Sequence, residues 1–392
     1  MHRRVGVLLF TAGWGANHFS TLLVVYRKAL GLSPAALGIL FGAYALGLVP
    51  GLMLAGRASD KWGRRALVMP ASVLAIVASA VLAFGTQGFT VLLVGRLLFG
   101  MGMGAVMSPG SVWVQELSPP GLGPRRATLA LSAGFGLGPL VSGLIAELAP
   151  APMVLPYVAH GVVMVVALHG VRVVPETASG VSPRAEAREA SGLPPARVRL
   201  RDMGVLVELL PVAPWAFGLA AVTLAILPGL MRPLVSRPVL FSAFVILTTL
   251  STGVFVQRFV KRVGRRGDLL GLGAGALGVL LASHAVAIAS PALVFVVAVL
   301  VGAGYGLVMT TGLAEVGARV PPQARGSAVG LYYVLTYLGF ALPFIHATLA
   351  QRWGDAPTLR GAAVAAFVCL MVRALIEARP RVPATSGVNG GA

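Results

Sequence analysis

The densest group of charges in this sequence is the decapeptide Gly56-Arg-Ala-Ser-Asp-Lys-Trp-Gly-Arg-Arg65. Asp60 is its only acid among four bases, so its carboxylate can accept ion pairs or favour a nearby helix N-terminus. Gly56 and Gly63 allow tight backbone turns. The decapeptide could therefore hold an ion pair or a helix cap, or it could be a solvated turn that follows the positive-inside rule.

Two ionisable residues lie inside apolar stretches. A guanidinium in hydrocarbon costs at least about 2.5 kcal/mol, so Arg96 either faces a cavity or a partner, or snorkels to the outer surface. His18 could titrate near physiological pH, or it could be a neutral hydrogen-bonding residue. His18 is therefore a candidate for titration, and Arg96 is a candidate for a buried polar contact.

Other chemistries find no support in the sequence. It has no clustered metal ligands, no nucleophile–base set and no Walker-type Gly-x-x-x-x-Gly-Lys-Ser/Thr, and no strand–helix unit surrounds the glycines at 100, 102 and 104. We therefore expect no enzymatic activity and no cofactor. The net charge of +19 does not indicate nucleic-acid binding, because the arginines lie in short loops between apolar runs.

The elements that position these residues are long apolar runs. Of the 392 residues, 57% are apolar and 11% charged, and the runs are long enough to cross a bilayer of about 30 Å as helices. The sequence predicts an all-α membrane protein with twelve transmembrane spans at 5–26, 35–56, 66–85, 89–115, 127–149, 153–174, 206–231, 236–257, 268–289, 291–314, 326–349 and 357–377.

The positive charges predict the orientation. With the N-terminus inside, most of the 31 Lys and Arg residues fall in inner loops. This bias follows the positive-inside rule and places both termini in the cytoplasm of a cell-membrane protein. The outer loops hold only Arg27, Lys28, Arg232, Arg237, Arg352 and Arg360.

The chain also divides into two similar parts. We predict a first six-helix bundle at 1–174, a cytoplasmic linker at 175–205, a second bundle at 206–377 and a tail at 378–392. Gly-Arg-Arg recurs after spans 2 and 8, and the glycine run of span 4 recurs in span 10, near Glu315. Parallel repeats of this kind are typical of transporters with a site near the midplane.

Span 5 carries a third pattern, from Gly134 through Gly138 and Pro139 to Gly143. Proline bends a helix and glycine lets a neighbouring helix approach closely. Ordinary tight packing would explain the pattern equally well.

Taken together, the decapeptide, the twelve spans and the repeat resemble the major facilitator superfamily over the whole chain. The resemblance implies that the loop latches the two halves at the cytoplasmic face, with Asp60 near the start of span 11 around Arg325, and Arg64 paired with Glu116. The copy after span 8 begins with Gln257 and lacks the acid, so we expect a weaker latch there. The implied gating residues are Gly56, Asp60, Lys61, Gly63, Arg64, Arg65 and Glu116.

The same resemblance implies a coupling mechanism. An arginine at the position of Arg96 is associated with proton coupling in the family, and His18 lies where an acid often occurs in span 1. The span-5 pattern is similar to the motif of proton-driven exporters, and only this pattern favours export over uptake. Its matching residues are Gly134, Gly138, Pro139 and Gly143.

Finally, the family uses spans 1, 4, 7 and 10 to line its cavity. Aromatic and Met side chains there favour a hydrophobic or amphipathic substrate. We expect a monomeric, proton-coupled exporter of a small molecule; the alternatives are an uptake carrier or facilitator, and a non-transporting sensor or scaffold. The predicted cavity residues are Asn17, His18, Met103, Trp215, Tyr305 and Thr310.

Overall fold

The computed structural model of the protein describes residues 1–177, 204–320 and 322–378, except for the side chains of Arg57, Lys261 and residues 322–327. The elements of these ranges are helical, and they confirm the all-α membrane fold. Eleven helices are long and apolar enough to span a membrane, and a twelfth apolar helix has 17 residues, which is the lower limit for a bilayer. We number them α1 His2–Leu30, α2 Pro34–Trp62, α3 Arg64–Ala83, α4 Phe89–Glu116, α5 Gly123–Leu148, α6 Leu155–Val171, α7 Gly204–Leu234, α8 Pro238–Phe259, α9 Gly264–Ala287, α10 Pro291–Arg319, α11 Ala328–Trp353 and α12 Asp355–Ala378.

Each predicted span corresponds to one helix, but the boundary after span 2 was placed too early. Helix α2 continues to Trp62 and α3 begins at Arg64, so most of the charged decapeptide is helical and Gly63 alone forms the turn. Gly63 has a φ of 102°, a conformation that a residue with a Cβ rarely adopts. The helix extends into this polar segment because its charged side chains lie at the end of the molecule, where they need not cross hydrocarbon.

We call α1–α6 the N half and α7–α12 the C half, and the end of the molecule that carries the N-terminus and Gly63 the inner end. In the N half, α2 and α4 are in backbone contact along a seam of glycines. A Cβ on any of them would overlap a carbonyl oxygen of the opposite helix. This α2–α4 seam consists of Gly47, Gly51, Gly100 and Gly104.

The C half repeats this packing. A Cβ on Gly302 or Gly306 of α10 would overlap a backbone oxygen of α8, at Thr249 and Gly253 respectively. The correspondence of α2 with α8 and of α4 with α10 is the one that the sequence repeat predicts. Small residues permit such close approach between helices in a membrane, where packing rather than hydrophobicity holds them together.

Contacts between the halves are made by α5 with α8 and by α2 with α11. At the outer end of α5, a Cβ on Gly143 would lie 2.8 Å from the Cβ of Ala243 on α8. At the outer end of α2, a Cβ on Gly38 would lie 2.6 Å from the backbone nitrogen of Phe344 on α11. The halves are therefore tightly packed against each other near their outer ends.

Candidate functional site

The first charged site is the N cluster, which consists of Asp60, Arg64, Glu116 and Glu176 at the inner end of the N half. The Arg64 guanidinium lies 2.5 Å from Asp60 Oδ1 and 3.1 Å from Glu116 Oε1. It also donates to the Ser59 hydroxyl at 2.7 Å. One cation thus joins the end of α2 to the end of α4, as the resemblance implied for Arg64 and Glu116.

Glu176 is a member of this cluster that the sequence did not reveal. The backbone N–H groups of Arg64 and Arg65 donate to its two carboxylate oxygens at 2.8 and 2.9 Å. Because these are the first amides of α3, the carboxylate caps a helix that has no cap of its own. The sequence feature that could have indicated this role is the position of the acid, directly after span 6 and at the start of the predicted linker.

The chain next to Glu176 is fixed to the same surface. The Trp113 indole donates to the Pro175 carbonyl oxygen at 3.1 Å, and the Thr177 hydroxyl donates to Glu116. A Cβ on Gly63 would lie 2.5 Å from the Glu176 carboxylate, so this glycine is also what lets the carboxylate approach. The first residues after α6 therefore belong structurally to the N cluster.

Two of the predicted gating residues, Gly56 and Lys61, lie beside the cluster without a bond to its charged groups. Gly56 packs against α4, where its Cβ would lie 2.7 Å from the Ser108 hydroxyl oxygen. Lys61 is exposed and lies over the Trp62 ring. Asp60 is half exposed, and its pairing with α11 stays a prediction because the side chain of Arg325 lies outside the described residues.

The C half has a larger group, the C cluster, which consists of Glu208, Asp268, Glu315, Arg319 and Arg373. The wholly buried Arg373 donates to Asp268 and to Glu315, each at 2.7 Å. Arg319 joins Glu208, at 2.5 Å, to Glu315, at 2.8 Å. Four helices, α7, α9, α10 and α12, are thus tied together at the inner end.

The weaker latch expected at the second copy stays a prediction, because the described contacts of the C cluster lie within the C half. The acid that is missing on the α8 side of the turn is replaced by Asp268, two residues after Gly-Arg-Arg, on α9. Arg265, at the position equivalent to Arg64, is half exposed and lies 3.6 Å from Glu315. The central cation of the C cluster is Arg373 of α12, which in the sequence is one of the many basic residues on the inner side.

Arg96 is enclosed in the N half rather than snorkelling outward. Its side chain is buried, with Nε 3.1 Å from the Leu40 carbonyl oxygen and Nη2 3.4 Å from that of Phe41, both on α2. The rings of Phe19 and Tyr44 lie 4.3 and 4.6 Å from the guanidinium carbon, which favours the cation. The arginine is held by carbonyl oxygens and rings.

His18 lies in a buried cluster of rings next to Arg96. Its ring centroid is 4.9 Å from Tyr157, 5.1 Å from Phe99 and 5.1 Å from His160. His18 is wholly buried, and neither of its ring nitrogens has a hydrogen-bond partner in the described structure. This ring cluster consists of Trp14, His18, Phe99, Tyr157 and His160, and the sequence singled out only His18 from it.

The span-5 pattern packs α5 against α1 beside the ring cluster. A Cβ on Gly138 would lie 2.5 Å from the Cα of Trp14, and one on Gly134 would overlap the backbone of α1. The Trp14 indole donates to Ser142 at 2.8 Å, and Thr21 donates to the Pro139 carbonyl oxygen at 3.2 Å. The motif residues thus connect α1, with His18, to the helix that contacts α8.

The predicted cavity residues do not form one surface. Met103 and His18 are wholly buried in the N half, so they line no cavity in this structure. Thr310 donates to the Gly306 carbonyl oxygen of its own helix at 2.6 Å. Asn17 and Trp215 are partly exposed, and Trp215 packs between two apolar clusters of the C half.

Tyr305 belongs to an aromatic cluster near the middle of the membrane-spanning helices. Phe217 of α7 stacks on Tyr337 of α11 at 4.7 Å and lies 5.8 Å from Tyr305 of α10. Phe340 of α11 contacts Phe41 of α2 across the boundary between the halves, with ring centroids 4.9 Å apart. This aromatic cluster consists of Phe217, Tyr305, Tyr333, Tyr337 and Phe340.

A pocket of about 200 Å³ lies between the halves near their outer ends. Its walls come from α1, α2, α7 and α11, and its polar side chains include Arg27, His346 and Asp355. His346 Nε2 lies 3.7 Å from Asp355 Oδ1. None of the six predicted cavity residues lines this pocket.

Comparison with known proteins is consistent with the geometry. The sequence profile of the Major Facilitator Superfamily matches residues 5–342 and 238–391. The quinolone resistance protein NorA of Staphylococcus aureus is 29% identical over 153 residues, and the glucose transporter GlcP of Staphylococcus epidermidis is 31% identical over 115. These matches cover 38% and 29% of this chain, and only 39% of NorA and 25% of GlcP.

Solved structures match over almost the whole chain. A POT-family peptide transporter in complex with sulfate has a TM-score of 0.77 at 15% identity, covering 95% of this chain and 94% of the transporter. The nucleoside transporter NupG has a TM-score of 0.76 at 12% identity, covering 96% and 99%. The profile match over most of the chain shows that it belongs to the Major Facilitator Superfamily, a family of multi-pass membrane transporters rather than enzymes.

Proposed function

We propose that this transporter exports a small, hydrophobic or amphipathic solute from the cell in exchange for protons. The observation that carries the proposal is the presence of two different groups of side chains within the membrane-spanning helices. The N half encloses Arg96 and two histidines beside the span-5 motif, whereas the C half presents aromatic rings. The first set is suited to a proton and the second to an apolar solute.

The aromatic cluster supports a planar, ring-containing substrate. Phe217 and Tyr337 are nearly parallel, with 12° between their planes, and Tyr333 and Tyr337 are also stacked. The outer faces of such a stack can bind another flat ring by offset stacking and by burial of apolar area. The partial likeness to NorA, named for quinolone resistance, agrees with a solute of this kind.

The N cluster supports alternating access through Asp60, the half-exposed member that a contact from the C half could reach, because the described bonds of the cluster lie within the N half. Moving the halves around a central site requires contacts at one end that form in one state and break in the other. Asp60 and Glu116 are partly exposed, so solvent limits the strength of their pairing with Arg64. We expect Asp60→Asn to slow transport in reconstituted vesicles, and parental rates in this variant would contradict the latch.

Direction and coupling are tested in vesicles that contain the purified protein in one known orientation. With the inner face outward and an acidic lumen, we expect a fluorescent quinolone to accumulate inside and a protonophore to abolish the accumulation. Transport that ignores the imposed pH gradient would exclude proton coupling. In this assignment the protein is a monomer of the cell membrane with both termini in the cytoplasm.

A second function, facilitated uptake of a sugar, is favoured by the local likeness to GlcP. It predicts that radiolabelled glucose equilibrates across the same vesicles without a pH gradient and that the quinolone does not move. Measuring both probes in one preparation separates the two functions, because each predicts a flux that the other excludes.

A further inference from the structure

Both ring nitrogens of His160, on α6, have hydrogen-bond partners, and the sequence offered this residue only as one of the few ionisable groups in the apolar spans. It is wholly buried, with Nε2 3.1 Å from the Thr11 carbonyl oxygen and Nδ1 3.0 Å from the Ser79 hydroxyl oxygen. A carbonyl oxygen only accepts hydrogen bonds, so Nε2 carries a hydrogen. The state of Nδ1 is then decided by Ser79.

The Ser79 hydroxyl faces two acceptors with one hydrogen. Besides Nδ1, it lies 3.0 Å from the Ala75 carbonyl oxygen on its own helix. When the imidazole is neutral, the hydroxyl donates to Nδ1. When a proton binds and forms an Nδ1–H bond, that group donates to the serine oxygen, and the hydroxyl turns to donate to Ala75.

We propose that His160, with Ser79 as its rotating hydroxyl and His18 as its neighbour, is the binding site for the coupled proton. Both protonation states leave each polar atom of His160 and Ser79 with a partner, and the change requires only the rotation of one hydroxyl. A buried polar group left without a partner costs about 1–3 kcal/mol, and this site avoids that cost in either state.

The titratable and charged groups around His160 come from several of the helices packed against it. His18 of α1 faces the His160 ring, and Arg96 of α4 lies behind His18. Tyr157 is on α6 itself, and its hydroxyl lies 2.5 Å from that of Tyr26 on α1. Ser79 is the polar side chain that α3 places beside the ring. Helix α5 contacts the cluster through Ser142, which accepts a hydrogen bond from the Trp14 indole of α1. Among the described residues no carboxylate acts on either ring, so the added charge is favourable only once water enters.

The site is connected to the boundary between the halves. Trp14 lies edge-on to His160 at 5.7 Å and donates to Ser142 of α5, whose neighbour Gly143 packs against Ala243 of α8. A charge on His160 therefore changes the environment of a tryptophan that holds the contact helix in place. Coupling between a proton and a conformational change requires such a differential contact.

The test uses His160→Gln, because the Gln amide can still donate to Thr11 but cannot become charged. The matched control is His169→Gln, an exposed histidine on the same helix. In the vesicles described above, we expect the variant to lose at least about tenfold in pH-driven quinolone accumulation, a typical size of coupling between sites. Exchange of labelled for unlabelled quinolone without a gradient should persist, and the control should match the parent.

This inference rests on the proposed proton-coupled function, but its failure is distinguishable. If the parent shows no pH-driven flux, the proposed function fails; if the parent does and His160→Gln equals it, the proton site fails. Ring-¹⁵N NMR of the purified protein gives a readout without substrate. The His160 signal is assigned as the one that disappears in His160→Gln. In the parent this signal should change from the Nε2–H form to imidazolium between about pH 4 and pH 8. A parent signal that does not change over this range would overturn the proposal.

Ser79→Ala is the second variant, in case the His160→Gln protein does not fold. It keeps the imidazole but removes the acceptor for Nδ1–H, so the charged state loses its partner. We expect pH-driven accumulation to fall while exchange persists, and an unchanged response to the pH gradient would contradict the role of the hydroxyl.

Discussion

The two inner charge clusters occupy equivalent ends of the two halves but differ in burial. In the N cluster, the acids paired with Arg64 are partly exposed, with 54% of the Asp60 side chain and 32% of the Glu116 side chain accessible. In the C cluster, Arg373 is wholly buried, and only 1% of Asp268 and 3% of Glu315 are accessible. The repeat thus carries two different kinds of electrostatic contact.

This difference determines what each cluster can do. An ion pair that water reaches contributes about 0–1 kcal/mol and is weakened by salt, so it can break and re-form during a transport cycle. Removing one partner from a buried pair costs about 3–5 kcal/mol, because the other charge stays behind without compensation. We infer that the C cluster fastens its half permanently, and that the N cluster is the reversible one.

Arg373→Met gives the largest expected difference between the clusters. It leaves Asp268 and Glu315 buried without their cation, so the free energy of unfolding should fall by about 3–5 kcal/mol. Arg360→Met, at an exposed position of the same helix, is the control. Thermal unfolding of the purified proteins in detergent measures both, and equal midpoints would refute the fastening role.

Alanine at the two equivalent turn glycines gives an intermediate effect. Gly63 and Gly264 both have positive φ, 102° and 61°, so each substitution costs about 1–2 kcal/mol in the backbone. The new Cβ at Gly63 would overlap the Glu176 carboxylate, whereas the one at Gly264 would have no atom within 4 Å. Displacing the carboxylate removes the cap of α3. Gly63→Ala should therefore be less stable than Gly264→Ala by a further ~1 kcal/mol. The reverse order in the same unfolding assay would contradict the capping of α3 by Glu176.

Glu116→Gln gives the smallest effect and the one that depends on salt. It removes a partly exposed partner of Arg64, so the loss of stability should be below about 1 kcal/mol and should shrink as NaCl rises from about 0.05 to about 0.5 M. The loss in Arg373→Met should stay constant over this range. A salt-independent loss in Glu116→Gln would mean that the two clusters are electrostatically alike.

The sequence predicted much of the fold because a bilayer imposes length and apolarity on each helix. All twelve spans followed from these constraints, although α2 ends later than predicted, and the recurring glycine and Gly-Arg-Arg motifs indicated the internal repeat. The Arg64–Glu116 contact followed from the resemblance to a family, since no residue spacing alone brings the ends of α2 and α4 together.

The rest depended on tertiary placement. Arg373 is one of many basic residues at inner helix ends, and only packing distinguishes a wholly buried one from a topology signal. Glu176 lay in a stretch with linker composition, where an acid has no periodic pattern to reveal its partner. His160 sits in an almost entirely apolar helix, and its partners Thr11 and Ser79 are 149 and 81 residues away along the chain.

The α2–α4 seam has a consequence for how this sequence can vary over time. Every single-base change that replaces glycine introduces at least a Cβ, and at Gly47, Gly51, Gly100 or Gly104 that atom overlaps the facing backbone. One substitution would separate the helices along their whole contact, and no second single change could restore it while the first remains. The seam should therefore stay fixed, and natural variants should accumulate at positions where a larger side chain does not push two helices apart.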